Sequence, residues 1–362
     1  MRIKTINAIC CDIPLSTPFR FASTELKLLP YAWVRVETDD GVVGYGECPT
    51  YWDPSGKTQQ AAVGAINLVS SSLIGLEAYD MERVFQIFDA TAYGAFAAKC
   101  GLDMALYDIV GKSLNVPAYI LMGGGSYSVN VNAVLPMGVE DIEARVEHLL
   151  SQGYTTFKIK VGINIQQELD LVKTVSRLLP ADTRIFVDAN QGWKDAKSAL
   201  RALRRFEEFG VVWVEQPIQA HDLDGLKLIR QSIDMSVIVD ESLYSPIDAL
   251  RLIKADAADI FNIKLAKCGG LYLGKKLYAI AQAGNISCML GSMIESSLGM
   301  LANYHFAHSH PMITCGLSAY SYVAEQIDVG IIFSKGQMRL VVEKPGLGYL
   351  DATPFEDKFK KG

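Results

Sequence analysis

The sequence predicts an α/β fold built on a parallel barrel, with a smaller α+β unit ahead of it. From about Val129 onward, short β-branched runs alternate with amphipathic helical stretches, the pattern of parallel βαβ units. Eight such strands can be read, and eight mean a (β/α)8 barrel or a near relative. Before Val129 the strands come first and the helices follow, as in an α+β unit.

The elements follow in order. "RIKTINAICCDIPL" reads as a strand, and "YAWVRVETDDGVVGYGE" as two strands joined at Asp39-Asp40-Gly41, a hairpin signal. From about Gln59 to Gly111 the pattern is helical, with runs such as "AAVGAINLVSSSLIG" and "AAKCGLDMALYDIVGK". "GGGSYS", residues 123–128, is a turn-rich boundary. The barrel strands are "VNVNAVLPMG", "TFKIKVG", "RIFVDANQGW", "VVWVEQP", "SVIVDES", "IFNIKLAKCGG", "SCMLGSMIES" and "ITCGLSAY". From Asp328 to Gly362 strand and turn signals return, and this tail is expected to rejoin the N-terminal unit.

Composition narrows the function. Half of the 362 residues are apolar, enough for a sizeable core. The net charge is −6 with no dense basic run, so nucleic acid is not an expected partner. No apolar stretch has the length of a membrane span, and the N-terminus lacks a signal-peptide core, which points to a cytoplasmic protein. Seven scattered cysteines with no CxxC pair fit reduced thiols better than disulfides or zinc. His305 and His308 share a helical spacing, but no carboxylate completes a metal motif, and they are read as structural.

"TTFKIKVG", residues 155–162, places Lys158 and Lys160 among Phe157, Ile159 and Val161. Strand periodicity puts both ammonium groups on one face. Taken alone, the octapeptide reads as a half-exposed strand with a solvated basic face. The rest of the chain argues otherwise. Lys160 ends "FKIK", Asp188 "IFVD", Glu215 "VWVE", Asp240 "VIVD" and Lys264 "FNIK", at separations of 28, 27, 25 and 24 residues, each about one βα unit. All five therefore lie at the C-terminal ends of successive barrel strands, the face that carries barrel active sites. Asp182 and Asp195 are expected to be turn or cap residues. Three converging carboxylates need a cation, and an all-oxygen set suits Mg2+.

The motifs "KIK", "VDANQGW", "VEQP", "VDES" and "NIKLAKCGG", in this order and spacing, resemble the enolase superfamily, and most closely its muconate-lactonizing subgroup (mandelate racemase/muconate lactonizing enzyme-like). The resemblance covers nearly the whole chain. It implies a modified (β/α)7β TIM-type barrel over 126–325, an α+β capping domain over 1–125, and a C-terminal segment, 326–362, that returns to the cap. It implies that Asp188, Glu215 and Asp240 hold Mg2+, with Mn2+ as the alternative, and that the metal binds a substrate carboxylate and stabilises an enediolate, chemistry known for this superfamily. Lys160 and Lys264 would stand on opposite faces of the α-carbon with lowered pKa values, and Lys158 would assist Lys160. Asn190 and Lys267 would support these groups from behind.

Specificity is expected from two lid-like loops: residues 15–24, carrying Phe19 and Phe21, and residues 48–56, carrying Tyr51 and Trp52. Glu295 and Tyr320 are further candidates on the substrate side. Dipeptide epimerases of the subgroup carry Asp-x-Asp on the eighth strand, where this chain has Leu317 and Ala319, which argues against a free α-ammonium. The expected activity is a metal-dependent isomerase that removes a proton α to a carboxylate. A racemase or epimerase of an N-substituted amino acid is favoured over a muconate-type cycloisomerase or a syn dehydratase. The partner is a small carboxylate, and a homo-oligomer is expected. A barrel that binds a carboxylate without turning it over is the alternative of another class.

Overall fold

The structure, a computed structural model, describes residues 1–21, 24–50, 58–136, 138, 141–324 and 327–361, with side chains at all of these except 19–21, 24–26 and 361. β1 (Ile3–Phe21) pairs antiparallel with β2 (Thr24–Thr38), and β2 with β3 (Val43–Cys48). The β2–β3 turn falls at Asp39-Asp40-Gly41, where Gly41 takes φ +81° and Thr38 N donates to Val42 O at 3.0 Å. Helices Gln59–Leu73, Met81–Ala92 and Phe96–Leu114 follow. The last lies directly on β3. A Cβ at Gly46 would come within 1.8 Å of Gly101 O, and one at Gly44 within 2.2 Å of Ala105 O. The "GYG" spacing of β3 therefore leaves one strand face bare so that a helix can lie on it.

The second half begins with β4 (Val129–Asn130) and then forms seven parallel strands in sequence order: β5 (Ala133–Leu135), β6 (Thr156–Lys160), β7 (Arg184–Asp188), β8 (Val211–Glu215), β9 (Ser236–Val239), β10 (Ile260–Ile263) and β11 (Ser287–Leu290). Helices connect them on the outside. The helix caps follow local chemistry. Asp195, expected as a cap, accepts from Ser198 N at 2.8 Å, and Ser245 with Asp248 forms a capping box.

Two expected strands differ in the structure. "VNVNAVLPMG" divides, because β4 pairs with β13 (Gln337–Leu340), which in turn pairs with β12 (Ile331–Ser334), and only β5 joins the barrel. "ITCGLSAY" forms no extended strand. Its residues 314–316 close the barrel by hydrogen bonds to both neighbours: Cys315 N to Asn130 O at 2.8 Å, Asn132 N to Cys315 O at 2.9 Å, and Gly316 N to Leu290 O at 2.7 Å. Beyond Gly316 the chain turns into a 3-10 helix, Ser318–Tyr322, which ends the pairing.

The inner face of the barrel is layered by strand periodicity. Phe186, Ile238, Ile260 and Met289 form an apolar floor with Trp213 packed on it. Asp188, Glu215 and Asp240 lie two residues beyond Phe186, Trp213 and Ile238, so the same face turns charged at the mouth. The tail packs on the antiparallel sheet: Phe355 meets Trp33 edge to face at 5.5 Å, and Arg35 Nε donates to Glu356 at 3.1 Å. Among the described residues no helix is long and apolar enough to cross a membrane, and all seven cysteines are free thiols.

Candidate active site

Strand register assembles the charged cluster. Lys160 lies opposite Asp188, and Asp188 opposite Glu215, across neighbouring parallel strands. Asp240 follows β9 and Lys264 follows β10, which brings them to the same rim. The carboxylates are wholly withdrawn from solvent, at 0%, 0% and 1% exposure. Buried charges of this kind persist only when paired.

The pairing comes from four ammonium groups. Lys158 Nζ stands 2.7 Å from Asp188 Oδ2 and 2.7 Å from Glu215 Oε2. Lys160 Nζ stands 2.7 Å from the same Asp188 oxygen and 2.6 Å from Asn190 Oδ1. Lys264 Nζ is 2.7 Å from Asp240 Oδ2, and Lys267 Nζ donates to the Asp240 carboxylate and its backbone carbonyl. Neither Lys158 nor Lys160 belongs to a solvated basic face.

Two members were not singled out from sequence. Asn262 donates to Glu215 Oε1 at 2.9 Å, and Glu241 accepts from Asn190 Nδ2 at 3.2 Å. Asn262 could have been found, since it lies two residues before Lys264 inside an apolar strand and therefore on the inner face. Glu241 is adjacent to Asp240 in "VDES".

The electrostatics follow from burial and these neighbours. Burial pushes the Asp188 carboxyl up, but Lys158 and Lys160 outweigh it and bring it down to about 2. Asp240 is held well below the carboxylate range against the same burial penalty, by Lys264 and Lys267. Glu215 is raised, first by burial and then by Asp188. Burial, with Asp240 and Asp188 beside it, lifts Glu241 to about 7. At Lys264 burial lowers the pKa, but Asp240, Glu215 and Glu241 outweigh that and hold it above its ordinary value.

Could this cluster hold a divalent cation? Among the described residues, no three acidic, histidine or cysteine side chains stand together as an ion would gather them, and ammonium groups bond the carboxylates of Asp188 and Asp240. The donor chemistry nevertheless fits. Asp188, Glu215 and Asp240 supply only hard oxygens from adjacent strands, and Glu241 Oε2 is buried without a hydrogen-bond partner.

A pocket of about 90 Å³ opens above the cluster. Lys158, Lys160, Lys264 and Asn190 line it, together with Gly291–Ile294 and Ala319. Among the described residues, no carboxylate lines it. Glu295 is absent from that lining and accepts instead from Met293 N at 2.9 Å. Tyr320 is absent too, buried with its hydroxyl 2.7 Å from Ser297 Oγ. Tyr51 and Trp52 lie outside the described residues, as do the side chains of Phe19 and Phe21. His305 and His308 sit away from the site, against Leu347 O and Tyr127 O.

Known proteins resemble this chain in sequence and in fold. The family described as "Mandelate racemase / muconate lactonizing enzyme, N-terminal domain" matches residues 4–123, and "Enolase C-terminal domain-like" matches residues 141–350. The N-succinyl-L-Arg/Lys racemase of Bacillus cereus is 34% identical over 96% of this chain and 95% of its own. Its crystal structure superimposes with a TM-score of 0.91 at 33% identity, covering 99% of this chain and 98% of that one. A dipeptide epimerase from Enterococcus faecalis, complexed with Mg and L-Leu-L-Tyr, gives 0.90 at 30% identity over 96% and 99%. Muconate cycloisomerase 1 of Rhodococcus opacus is 31% identical over 96% of this chain and 95% of its own.

Proposed function

The chain belongs to the enolase superfamily, in its mandelate racemase and muconate lactonizing group, and is an isomerase; on that premise we infer that it is a Mg2+-dependent racemase or epimerase of an N-substituted amino acid. The observation that carries this reading is the placement of Lys160 and Lys264 in one pocket, each bonded to a different carboxylate of the buried cluster. One lysine removes the α-proton and the other returns a proton on the opposite face.

Asp188, Glu215 and Asp240 would hold the cation, with Glu241 close behind. When bound, it draws charge from the substrate carboxylate and so stabilises what builds there as the proton leaves. With its carboxylate engaged in this way, Lys264 would lose the partner that holds its proton. Charge balance supports the scheme. The four lysines Lys158, Lys160, Lys264 and Lys267 match the four acids Asp188, Glu215, Asp240 and Glu241. A dication, a substrate carboxylate and one neutral lysine leave the ionised cluster neutral again.

The pocket wall supports a substrate class. Among the described residues, lysines and neutral groups line it, so an acylated nitrogen suits it better than a free ammonium. The same wall also suits a dicarboxylate such as muconate, which keeps cycloisomerisation as the second reading. The test is α-proton exchange in D2O with Mg2+ over a panel of N-acyl amino acids that includes N-succinyl-L-arginine. Exchange with inversion is expected, and no exchange across the panel would overturn the reading.

A further inference from the structure

The segment Gly291–Ser296 follows β11, and its first four residues line the pocket beside Lys264. A Cβ at Gly291 would lie 2.8 Å from Lys264 Cε, so this backbone sets the space in which the lysine moves. Three residues on, Ile294 takes φ +63° and is buried at the pocket wall. A β-branched residue avoids that region, and such a conformation persists only where its surroundings over-determine it.

The surroundings come from the other half of the molecule. Tyr31 Oη, on β2, donates to Met293 O at 2.5 Å and Ile294 O at 3.2 Å. Glu47, on β3, accepts from Ser296 N at 3.0 Å, from Ser296 Oγ, and from Trp33 Nε1 at 3.2 Å. Tyr31 and Glu47 are fully buried, and neither lines the pocket. Glu295 folds back onto Met293 N and ties the same turn from within. A Cβ at Gly299 would meet Glu47 Oε1 at 2.6 Å, so the following helix leaves room for the carboxylate.

We propose that Tyr31 and Glu47 are positioning residues for the reaction: from the antiparallel sheet they clamp residues 293–296 and hold Ile294 in its left-handed conformation against the face of the substrate that Lys264 serves. The role rests on the reading of Lys264 given above. Removing the Tyr31 hydroxyl or the Glu47 carboxyl group lets Ile294 relax toward an ordinary conformation, and the pocket wall then moves with it.

The experiment uses the whole protein with Tyr31→Phe, Glu47→Gln, Ile294→Gly and the double variant Tyr31→Phe/Ile294→Gly. Amide hydrogen exchange over residues 289–300 is read alongside kcat and KM for N-succinyl-L-arginine. Tyr31→Phe and Glu47→Gln should each speed exchange in that segment at least tenfold, leave the segment around β1 unchanged, and raise KM while lowering kcat. Glycine adopts positive φ without cost, so in the Ile294→Gly background the Tyr31→Phe change should alter exchange less than threefold. Wild-type exchange rates in Tyr31→Phe, or an undiminished Tyr31→Phe effect in the Ile294→Gly background, would overturn the clamp. Failure of the wild type to turn over the substrate panel would count against the catalytic reading alone, because the amide exchange still decides the clamp.

Discussion

Lys158 Nζ and Lys160 Nζ converge on one atom, Oδ2 of Asp188, each at 2.7 Å. Two like charges on one strand face are therefore neighbours through a shared anion. Asp188→Asn removes the charge that binds them and, on the proposed reading, a cation ligand as well. The variant should lose about 10²–10³-fold or more in kcat/KM and should bind Mg2+ more weakly by calorimetric titration. Unchanged Mg2+ affinity would remove Asp188 from the ligand set.

Metal removal gives a broader test. Enzyme stripped with EDTA should be inactive and should recover on adding Mg2+. Because the cation would bind only the folded arrangement of Asp188, Glu215 and Asp240, Mg2+ should also raise Tm in a concentration-dependent way. Full activity after stripping would refute the metal proposal, and a Tm that ignores Mg2+ would weaken it independently of any substrate.

These residues were legible because strand chemistry is local. An alternating "FKIK" and charges repeating every βα unit place five side chains on one rim without knowledge of any long-range contact. The clamp was not legible. Glu47 and Ser296 are 249 residues apart, and nothing periodic links them. Tyr31 reads as an ordinary strand aromatic until its hydroxyl is seen on Met293 O. The end of the barrel also misled. "ITCGLSAY" has strand composition, but pairing on both sides is satisfied by residues 314–316, and the 3-10 turn ends it.

Specificity can be probed at the wall by Ala319. A dipeptide with a free α-ammonium would bring an unpaired cation into a pocket lined, among the described residues, by Lys158, Lys160 and Lys264 and by no acid. Its kcat/KM should be at least about tenfold below that of the matching N-succinyl amino acid, since leaving a buried polar group unpaired costs roughly 1–3 kcal/mol. Steady-state comparison of the two compounds decides it, and equal efficiency would mean that another group receives the ammonium.

Glu47 gives a pH dependence of stability. Burial pushes its carboxyl up to about 8 from an ordinary 4.5, with Glu295 adding to the shift and Ser296 and Trp33 opposing it. The folded state thus keeps a proton that the unfolded chain releases. No difference arises below pH 4.5, stability is lost as pH rises from 4.5, and the loss is complete above about 8. Glu47→Gln cannot titrate. The stability of wild type relative to Glu47→Gln should therefore fall between pH 5 and 8 in urea denaturation. A constant difference across that window would show that Glu47 does not carry the shift.

The two lysines test the proposed chemistry most directly. In a racemase each serves one stereoisomer, so Lys160→Ala and Lys264→Ala should both abolish net racemisation, because a proton must leave one face and arrive on the other. Each variant should still exchange the α-proton of one enantiomer with solvent, and the two should differ in which. Loss of a general base costs about 10²–10⁴-fold for the enantiomer it serves. In a cycloisomerase one lysine does the proton work, and the other only stabilises charge. One variant would then lose all exchange, while its counterpart would lose rate without any stereochemical reversal. Proton NMR of each enantiomer in D2O with Mg2+ distinguishes these outcomes. Equal exchange of both enantiomers by both variants would take Lys160 and Lys264 out of the mechanism, and their hydrogen bonds to Asp188 and Asp240 would then serve only to neutralise buried charge.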